Sequence, residues 1–145
     1  MKIKHIVLLA LLSFSSVSMA ASLVSMNNKQ AKTALSDKTI TTVTEVTLNG
    51  QLVENTFTGY FNKDGSMVGK LANAPADGGP QNDKGTWKVQ ANGQVCVTWQ
   101  NWNKAQPRCV MLYNLTNALL IVGPGNNFET LVLNNNIQSG NQVSS

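Results

Sequence analysis

The sequence is almost without histidine, and its single one, His5, lies in an N-terminal stretch that we predict to be removed. A chain without histidine has no Ser-His-Asp or Cys-His catalysis, no histidine metal site and no histidine acid–base chemistry. With both cysteines oxidised, only carboxylates would remain as zinc ligands. The sequence therefore predicts a protein that is not an enzyme and that holds no metal and no cofactor.

Arginine and charge of either sign are also scarce. Only 12% of the residues are charged, and Arg108 is the one arginine. Residues 21–145 contain eight lysines, this arginine and seven acids, which gives a net charge of about +2. They hold no basic cluster, and their aromatic residues are not interleaved with arginine. We therefore expect no nucleic-acid partner.

Long apolar runs are missing too. The run Ile6–Leu12 is too short to span a bilayer. It follows Lys2 and Lys4 and precedes Ser18-Met19-Ala20, whose small residues suit signal peptidase. We therefore predict that residues 1–20 are a signal peptide and that the protein is exported, either periplasmic or secreted. No cysteine follows the cut directly, so neither a lipoprotein anchor nor another stable membrane anchor is expected.

What the chain does contain is concentrated in Gly85–Tyr113, which holds all three tryptophans and both cysteines. Two runs there alternate with the period of two that marks a half-buried strand. A two-residue Asn-Gly turn between them would put Trp87 on the face opposite Trp99. A three-residue turn with Gly93 in the left-handed region shifts the register by one and unites the apolar residues. The shared face would then hold Trp87, Val89, Val95, Val97 and Trp99.

The two cysteines, Cys96 and Cys109, predict a disulfide between the second of these strands and a third strand, Arg108–Tyr113. Disulfides persist in oxidising compartments, which agrees with export. Active redox dithiols are usually two residues apart at a helix start, so we favour a structural bond over a redox pair. Pairing Cys96 with Cys109 also pairs Val97 with Arg108. Both cysteines would then lie on the face away from the tryptophans.

The rest of the chain divides into a helix, further strands and a tail. Residues 21–36 predict an N-terminal helix with one apolar side, and residues 37–133 a β-domain. Asn49-Gly50 is a hairpin turn signal between two strand-like runs. A bulged turn at Gly65 would place four apolar residues on one face, namely Phe57, Phe61, Met67 and Leu71. Residues 134–145 are polar and uncharged, which predicts a disordered tail.

Two loops are candidates for contact with a partner. Ala72–Asp83 is long for a loop inside a compact domain, which favours a mobile loop, with a lid as the alternative. Gln100–Pro107 presents Trp102 between two asparagines. An exposed tryptophan there would be a good contact residue, although such a side chain more often folds back over its hairpin.

The fold class that follows is all-β, an antiparallel meander of about eight short strands with one N-terminal helix. Such a meander forms a small up-and-down barrel or a strongly curved sheet. A barrel of this size is just wide enough to be filled by side chains or to hold one small ligand. Because small barrels are usually packed, we expect the interior to be filled, by Trp87, Trp99, Phe57 and Phe61.

A series of short motifs resembles a known family. They are LSDKTI at Leu35–Ile40, GYFNKDGSMVG at Gly59–Gly69, GTWKV at Gly85–Val89 and GQVCVTW at Gly93–Trp99, followed by the strand with the second cysteine. This order resembles the exported bacterial proteins grouped as domain-of-unknown-function family 995, over roughly residues 35–122. The resemblance implies export and a small β-rich domain. It implies no catalytic residues.

Three functional hypotheses follow. The first is an exported, non-enzymatic binding module for a protein or glycan partner, which predicts an exposed Trp102 and no deep cavity. Its candidate contact residues are Trp102, Lys104, Arg108, Trp99 and Trp87. The second is a barrel that carries a small ligand in an open interior. The third, a glycan hydrolase with a carboxylate pair, is disfavoured because no apolar setting for a pair is visible. Its candidate acids are Glu45, Glu54, Asp64, Asp77, Asp83 and Glu129.

Overall fold

The computed structural model describes residues 22–48, 51–75 and 78–143, without the side chains of residues 45–48 and 51–54. The predicted signal peptide lies outside these ranges and stays a prediction. The regular elements are α1 (Asn28–Leu35), β1 (Lys38–Thr41), β2 (Glu45–Leu48), β3 (Gln51–Glu54), β4 (Phe57–Phe61), β5 (Ser66–Leu71), β6 (Asn82–Val89), β7 (Val95–Trp99), β8 (Arg108–Asn114), β9 (Ala118–Val122), β10 (Phe128–Leu133) and β11 (Ile137–Ser139). Short 3-10 turns cover Trp102–Ala105, Pro124–Asn126 and Asn134–Asn136.

Nine of the strands form one antiparallel sheet in the order β10-β9-β8-β7-β6-β5-β4-β1-β11. The sheet curls into a nearly closed barrel. The chain leaving β1 comes next to β10, where the Val43 N–H donates to the Leu131 carbonyl at 2.9 Å. Strands β2 and β3 form a separate hairpin. The all-β meander with one helix is therefore confirmed. In the described part of the chain, no helix is both long and apolar enough to cross a bilayer.

The three central strands have the predicted register. Val89 pairs with Val95 across a three-residue turn, and Gly93 in that turn has a φ of 89°. Cys96 pairs with Cys109 and Val97 with Arg108. The two cysteines form a disulfide. The apolar pattern therefore selected the correct turn, because a slip of one residue would have moved the tryptophans to opposite faces.

Strands β4 and β5 also have the predicted bulged turn and the predicted shared apolar face. Phe57 lies opposite Leu71 and Phe61 opposite Met67. Gly65, in the turn between the strands, has a φ of 88°. The predicted turn at Asn49-Gly50 lies outside the described residues, although the strands on either side of it pair.

Helix α1 begins with a capping box. The Asn27 side chain accepts from the Gln30 N–H, and the Gln30 side chain accepts from the Asn27 N–H, each at 2.9 Å. The helix occupies only the second half of the segment 21–36. Ala31 and Leu35 face the barrel and are buried. Because the Asp37 N–H donates to the Phe61 carbonyl at 2.8 Å, the helix closes the barrel end at which β4 finishes. We call this the helix end.

The prediction of a disordered tail is wrong for residues 134–143. Strand β11 pairs with β1 through Lys38–Ser139, Thr39–Gln138 and Ile40–Ile137. The buried Thr39 hydroxyl donates to the Gly140 carbonyl and accepts from the Gln142 N–H. The segment is uncharged and mostly polar, but backbone pairing with a free strand edge needs little apolar area, and Ile137 packs against the core.

Candidate ligand-binding cavity

The barrel interior is open. It contains a cavity of about 450 Å³, so the expectation that side chains fill it is wrong. Most of the lining is apolar and comes from the inward faces of the strands. The lining residues are Leu35, Ile40, Thr42, Phe57, Phe61, Met67, Leu71, Pro75, Val95, Val97, Trp99, Trp102, Asn103, Lys104, Gln106, Arg108, Val110, Leu112, Ile121, Glu129 and Thr130.

At the helix end the cavity has a closed floor. Leu35 of α1 lines it together with Phe61 and Met67, which pair across the β4–β5 turn. These side chains are almost fully buried. Trp87 does not line the cavity, because its ring packs on Phe61 at 5.5 Å and its indole N–H donates to the Asn62 carbonyl at 2.7 Å. The floor is therefore part of the packed core.

The other end, which we call the mouth, is covered by three aromatic rings. The Trp99 and Trp102 centroids are 4.7 Å apart, and Phe57 lies 5.8 Å from Trp99 and 6.3 Å from Trp102. The rings rest on Gly69, where an added Cβ would come within 3 Å of all three. Because no larger residue fits there, glycine at position 69 lets the aromatic cluster lie flat against β5.

Trp102 is held inward rather than presented to solvent. The side chain is half-buried, and its indole N–H donates to the Pro80 carbonyl at 2.7 Å. Trp102 therefore folds back over the barrel, as such loop residues more often do. Neither feature expected of a module for a protein or glycan, an exposed Trp102 and the absence of a deep cavity, is observed.

The loop that carries Trp102 is fixed by one buried carboxylate, Asp83 at the start of β6. One oxygen accepts from the Asn101 and Trp102 N–H groups, both at 2.8 Å. The other accepts from the Asn101 side-chain amide and the Lys84 N–H, both at 2.9 Å. Burial by itself would raise the pKa of Asp83, but these four hydrogen bonds outweigh it and hold the pKa below its ordinary value. The carboxylate therefore acts as a charged clamp on the loop.

The backbone beyond Trp102 is strained. Asn103, Lys104 and Ala105 have φ values of 53°, 53° and 56°, in the left-handed region that favours glycine. Three consecutive non-glycine residues in this region are unusual, and such strain often concentrates at ligand clamps. The loop we call the lid, residues 101–106, is therefore a short, strained cover pinned at one end by Asp83.

An ion pair lies in the cavity wall near the mouth. The guanidinium of Arg108 donates to both carboxylate oxygens of Glu129, through Nε at 3.2 Å and through Nη2 at a closer contact. The side chains are 24% and 9% exposed, respectively. Removing such a pair from water is costly unless its geometry is good, and a bidentate contact supplies that geometry.

The backbone aims Glu129 inward by two means. The pairing of β10 with β9 shifts between Phe128 and Thr130, so Glu129 sits in a β-bulge. Bulges re-aim side chains, and they are frequent next to functional sites. At the buried Gly123, an added Cβ would lie 2.0 Å from the Glu129 carboxylate. The chain therefore leaves the space into which this carboxylate turns.

The structure brings together four of the five predicted contact residues. Trp99, Trp102, Lys104 and Arg108 all line the cavity at its mouth, whereas Trp87 belongs to the core. For two important residues, Asp83 and Glu129, the sequence suggests only a role as candidate acids for hydrolysis. For Arg108 the signal was a lone arginine on an apolar strand. Glu129 gave no comparable signal, because its inward turn depends on the bulge.

Two of the candidate acids for hydrolysis already have partners in the structure. Asp83 is occupied by loop N–H groups and Glu129 by Arg108. Glu45 and Glu54 pair through their backbones, and their side chains lie outside the description. In the described ranges no three His, Cys, Asp or Glu residues cluster as metal ligands. Asp77 lies outside those ranges.

Comparison with known proteins adds no assignment. No family model matches the chain, and no curated protein matches its sequence. The resemblance to family 995 therefore stays a prediction.

Proposed function

We propose that this protein is a small-ligand-binding β-barrel, which holds one apolar or amphiphilic molecule in its interior. The single observation that carries the proposal is the cavity of about 450 Å³. This volume lies within the usual range of ligand pockets, about 300 to 1,000 Å³. The mainly apolar lining with a few polar groups near the mouth also has the usual composition of such pockets.

The energetics of the interior support a ligand. An empty apolar cavity forfeits packing contacts and costs stability in proportion to its volume. Val97, Val110 and Ile121 line this cavity, and larger residues at these positions would fill part of it. The barrel is closed tightly at the helix end and covered by aromatic rings at the mouth. Between the two ends it retains an interior that a ligand can occupy.

The proposed setting is outside the cytoplasm. The disulfide between Cys96 and Cys109 and the predicted signal peptide both support export, to the periplasm or beyond the cell. The absence of histidine from residues 21–145 supports binding without catalysis. The membership of family 995 that the motifs suggest would agree with both. A protein or glycan partner receives less support, because Trp102 packs inward.

The test is binding of a neutral apolar probe. N-phenyl-1-naphthylamine should bind the purified protein saturably with one site, and 1-dodecanol should displace it. Val110→Phe places a ring in the cavity and should weaken probe binding at least about tenfold, or about 1.4 kcal/mol. Met111→Phe on the same strand points to the other face, so it should leave binding unchanged. Probe binding that is absent, or equal in wild type and Val110→Phe, would contradict the proposal.

A further inference from the structure

The charged side chains that line the cavity carry more positive than negative charge. The lining includes two cations, Lys104 and Arg108, and one anion, Glu129. Glu129 already contacts Arg108 through both carboxylate oxygens. Since that pair is close to neutral as a unit, the excess positive charge of the lining is carried by Lys104.

Among the described residues, Lys104 lies at the mouth without an acidic partner. It takes part in neither the Lys63–Asp37 nor the Arg108–Glu129 ion pair. Asp83 lies beneath the same loop, but its carboxylate is not part of the lining and its two oxygens accept four hydrogen bonds. The Asp83 carboxylate is therefore committed to holding the loop.

The strained backbone fixes the point from which the Lys104 side chain leaves the loop. Lys104 is the central residue of the left-handed run Asn103–Ala105, and its side chain is exposed while lining the cavity. The run is closed by a pair of hydrogen bonds between Asn103 and Gln106, each at 2.9 Å. A charge held at the rim of an apolar cavity can meet a ligand head that stays in water while the tail is buried.

We infer that the ligand is an amphiphile with one anionic head, of which a long-chain carboxylate is the simplest example. This inference rests on the proposed function. The tail lies between the aromatic cluster and Leu35, and the head lies at the mouth beside Lys104. A cationic head would face Lys104 and Arg108, with Glu129 already bound to the guanidinium. A neutral head would gain nothing from Lys104.

The experiment compares dodecanoate, 1-dodecanol and dodecylamine as competitors for N-phenyl-1-naphthylamine, each below its solubility limit and below any micelle concentration. Their tails are equal, so differences report the head. Dodecanoate should bind about fivefold more tightly than dodecanol, the effect of a partly exposed ion pair, and dodecylamine should bind least. Raising the salt concentration should reduce the advantage of dodecanoate and leave dodecanol unchanged.

Two variants locate the charge. Lys104→Gln should remove the advantage of dodecanoate without changing dodecanol binding, and Lys104→Glu should reverse the order of dodecanoate and dodecylamine. Lys88→Gln is the matched control, since Lys88 is an exposed lysine on β6 outside the lining. It changes the net charge equally and should leave all three affinities as they are.

The outcomes separate the two proposals. If none of the three compounds displaces the probe and the probe itself does not bind, the proposed function fails. If dodecanol binds as tightly as dodecanoate, or dodecylamine binds more tightly than dodecanoate, the anionic head is refuted. The proposal of a ligand-binding barrel is then unaffected. A preference for dodecanoate that survives Lys104→Gln would refute the role of Lys104.

Discussion

The two ends of the barrel are closed in different ways. At the helix end, a capped helix buries Ala31 and Leu35 against β1 and the Phe61–Trp87 pair. At the mouth, a loop with three left-handed residues is held by one carboxylate and three rings. The first end is built from buried apolar area, and the second from aromatic contacts together with hydrogen bonds from loop N–H groups to a carboxylate. Local opening is easiest where the chain is held by half-buried and exposed residues, so the mouth is the natural entrance.

Replacing one tryptophan at each end should show the largest difference in stability between the two ends. Trp87→Ala removes a buried ring and should lower the free energy of unfolding by about 4 kcal/mol. Trp102→Ala removes a half-buried ring at the mouth and should cost about 2 kcal/mol. Urea denaturation measures both. Equal losses at the two positions would mean that the mouth is as much a part of the core as the helix end.

The two substitutions should affect ligand binding in the opposite order, with the larger effect from Trp102→Ala. Trp102→Ala takes away part of the cavity wall and should weaken probe binding, whereas folded Trp87→Ala should still bind, because Trp87 does not line the cavity. Probe titration at a temperature where both variants are folded gives the comparison. Weaker binding by Trp87→Ala than by Trp102→Ala would contradict the assignment of the mouth.

The disulfide should have the next largest effect. Cys96 and Cys109 are 13 residues apart, and closing a loop of about this length contributes about 3 kcal/mol in the chain-entropy model. The double variant Cys96→Ala/Cys109→Ala should lose this amount in urea denaturation. Wild type with reductant serves as the matched comparison. Since both cysteines lie on the outer face, probe affinity of the folded variant should be unchanged.

The sequence predicted the central strands well because their determinants are local. The alternation of Trp87 to Trp99 and the glycine of the turn leave one register that places the apolar residues together, and the cysteines agree with it. The same reasoning placed Phe57 and Leu71 on one face. Neither depends on distant parts of the chain.

The cavity could not be predicted in the same way. A period of two tells which side chains point inward but not how far apart opposite walls stand, which depends on the curvature and closure of the whole sheet. Glu129 turns inward because of a bulge, and β11 forms through backbone pairing of a mostly polar segment. The clamp by Asp83 joins two segments, β6 and the lid, whose proximity appears only in the folded barrel.

Asp83→Asn tests the clamp directly. An amide has one oxygen acceptor and no charge, so two of the four donors meet its NH₂ group and the two hydrogen bonds that remain are no longer charge-assisted. In either orientation the hold on the lid is weaker. The free energy of unfolding should fall by about 2 kcal/mol. Hydrogen exchange should accelerate at the Asn101 and Trp102 amides while those of α1 stay protected.

Asp64→Asn is the matched control for this change. Asp64 is an exposed turn carboxylate between β4 and β5 that accepts from the Ser66 N–H and hydroxyl. Its replacement should alter stability little and leave exchange in the lid as in wild type. Faster lid exchange in Asp64→Asn, or unchanged exchange in Asp83→Asn, would remove Asp83 from the role of clamp.

Acid should produce the smallest of these effects. Because the pKa of Asp83 lies below its ordinary value of 3.8, its stabilising contribution is complete above that pH and is lost as the pH falls through the lower folded value. The lid should therefore loosen only in strong acid. Exchange at the Asn101 and Trp102 amides should rise there in wild type and show no matching step in Asp83→Asn.

A local measurement is needed because other carboxylates titrate in the same range. The hydrogen bond from the Tyr60 hydroxyl and the Lys63 ammonium lower the pKa of Asp37, and hydrogen bonds from Ser66 lower that of Asp64. Both groups are near the helix end, so their protonation reduces global stability without acting on the lid directly. Comparing exchange in the lid with exchange in α1 therefore separates opening of the mouth from unfolding of the barrel. If both segments lose protection at the same pH and rate, the two ends open together, and the mouth is no more an entrance than the helix end.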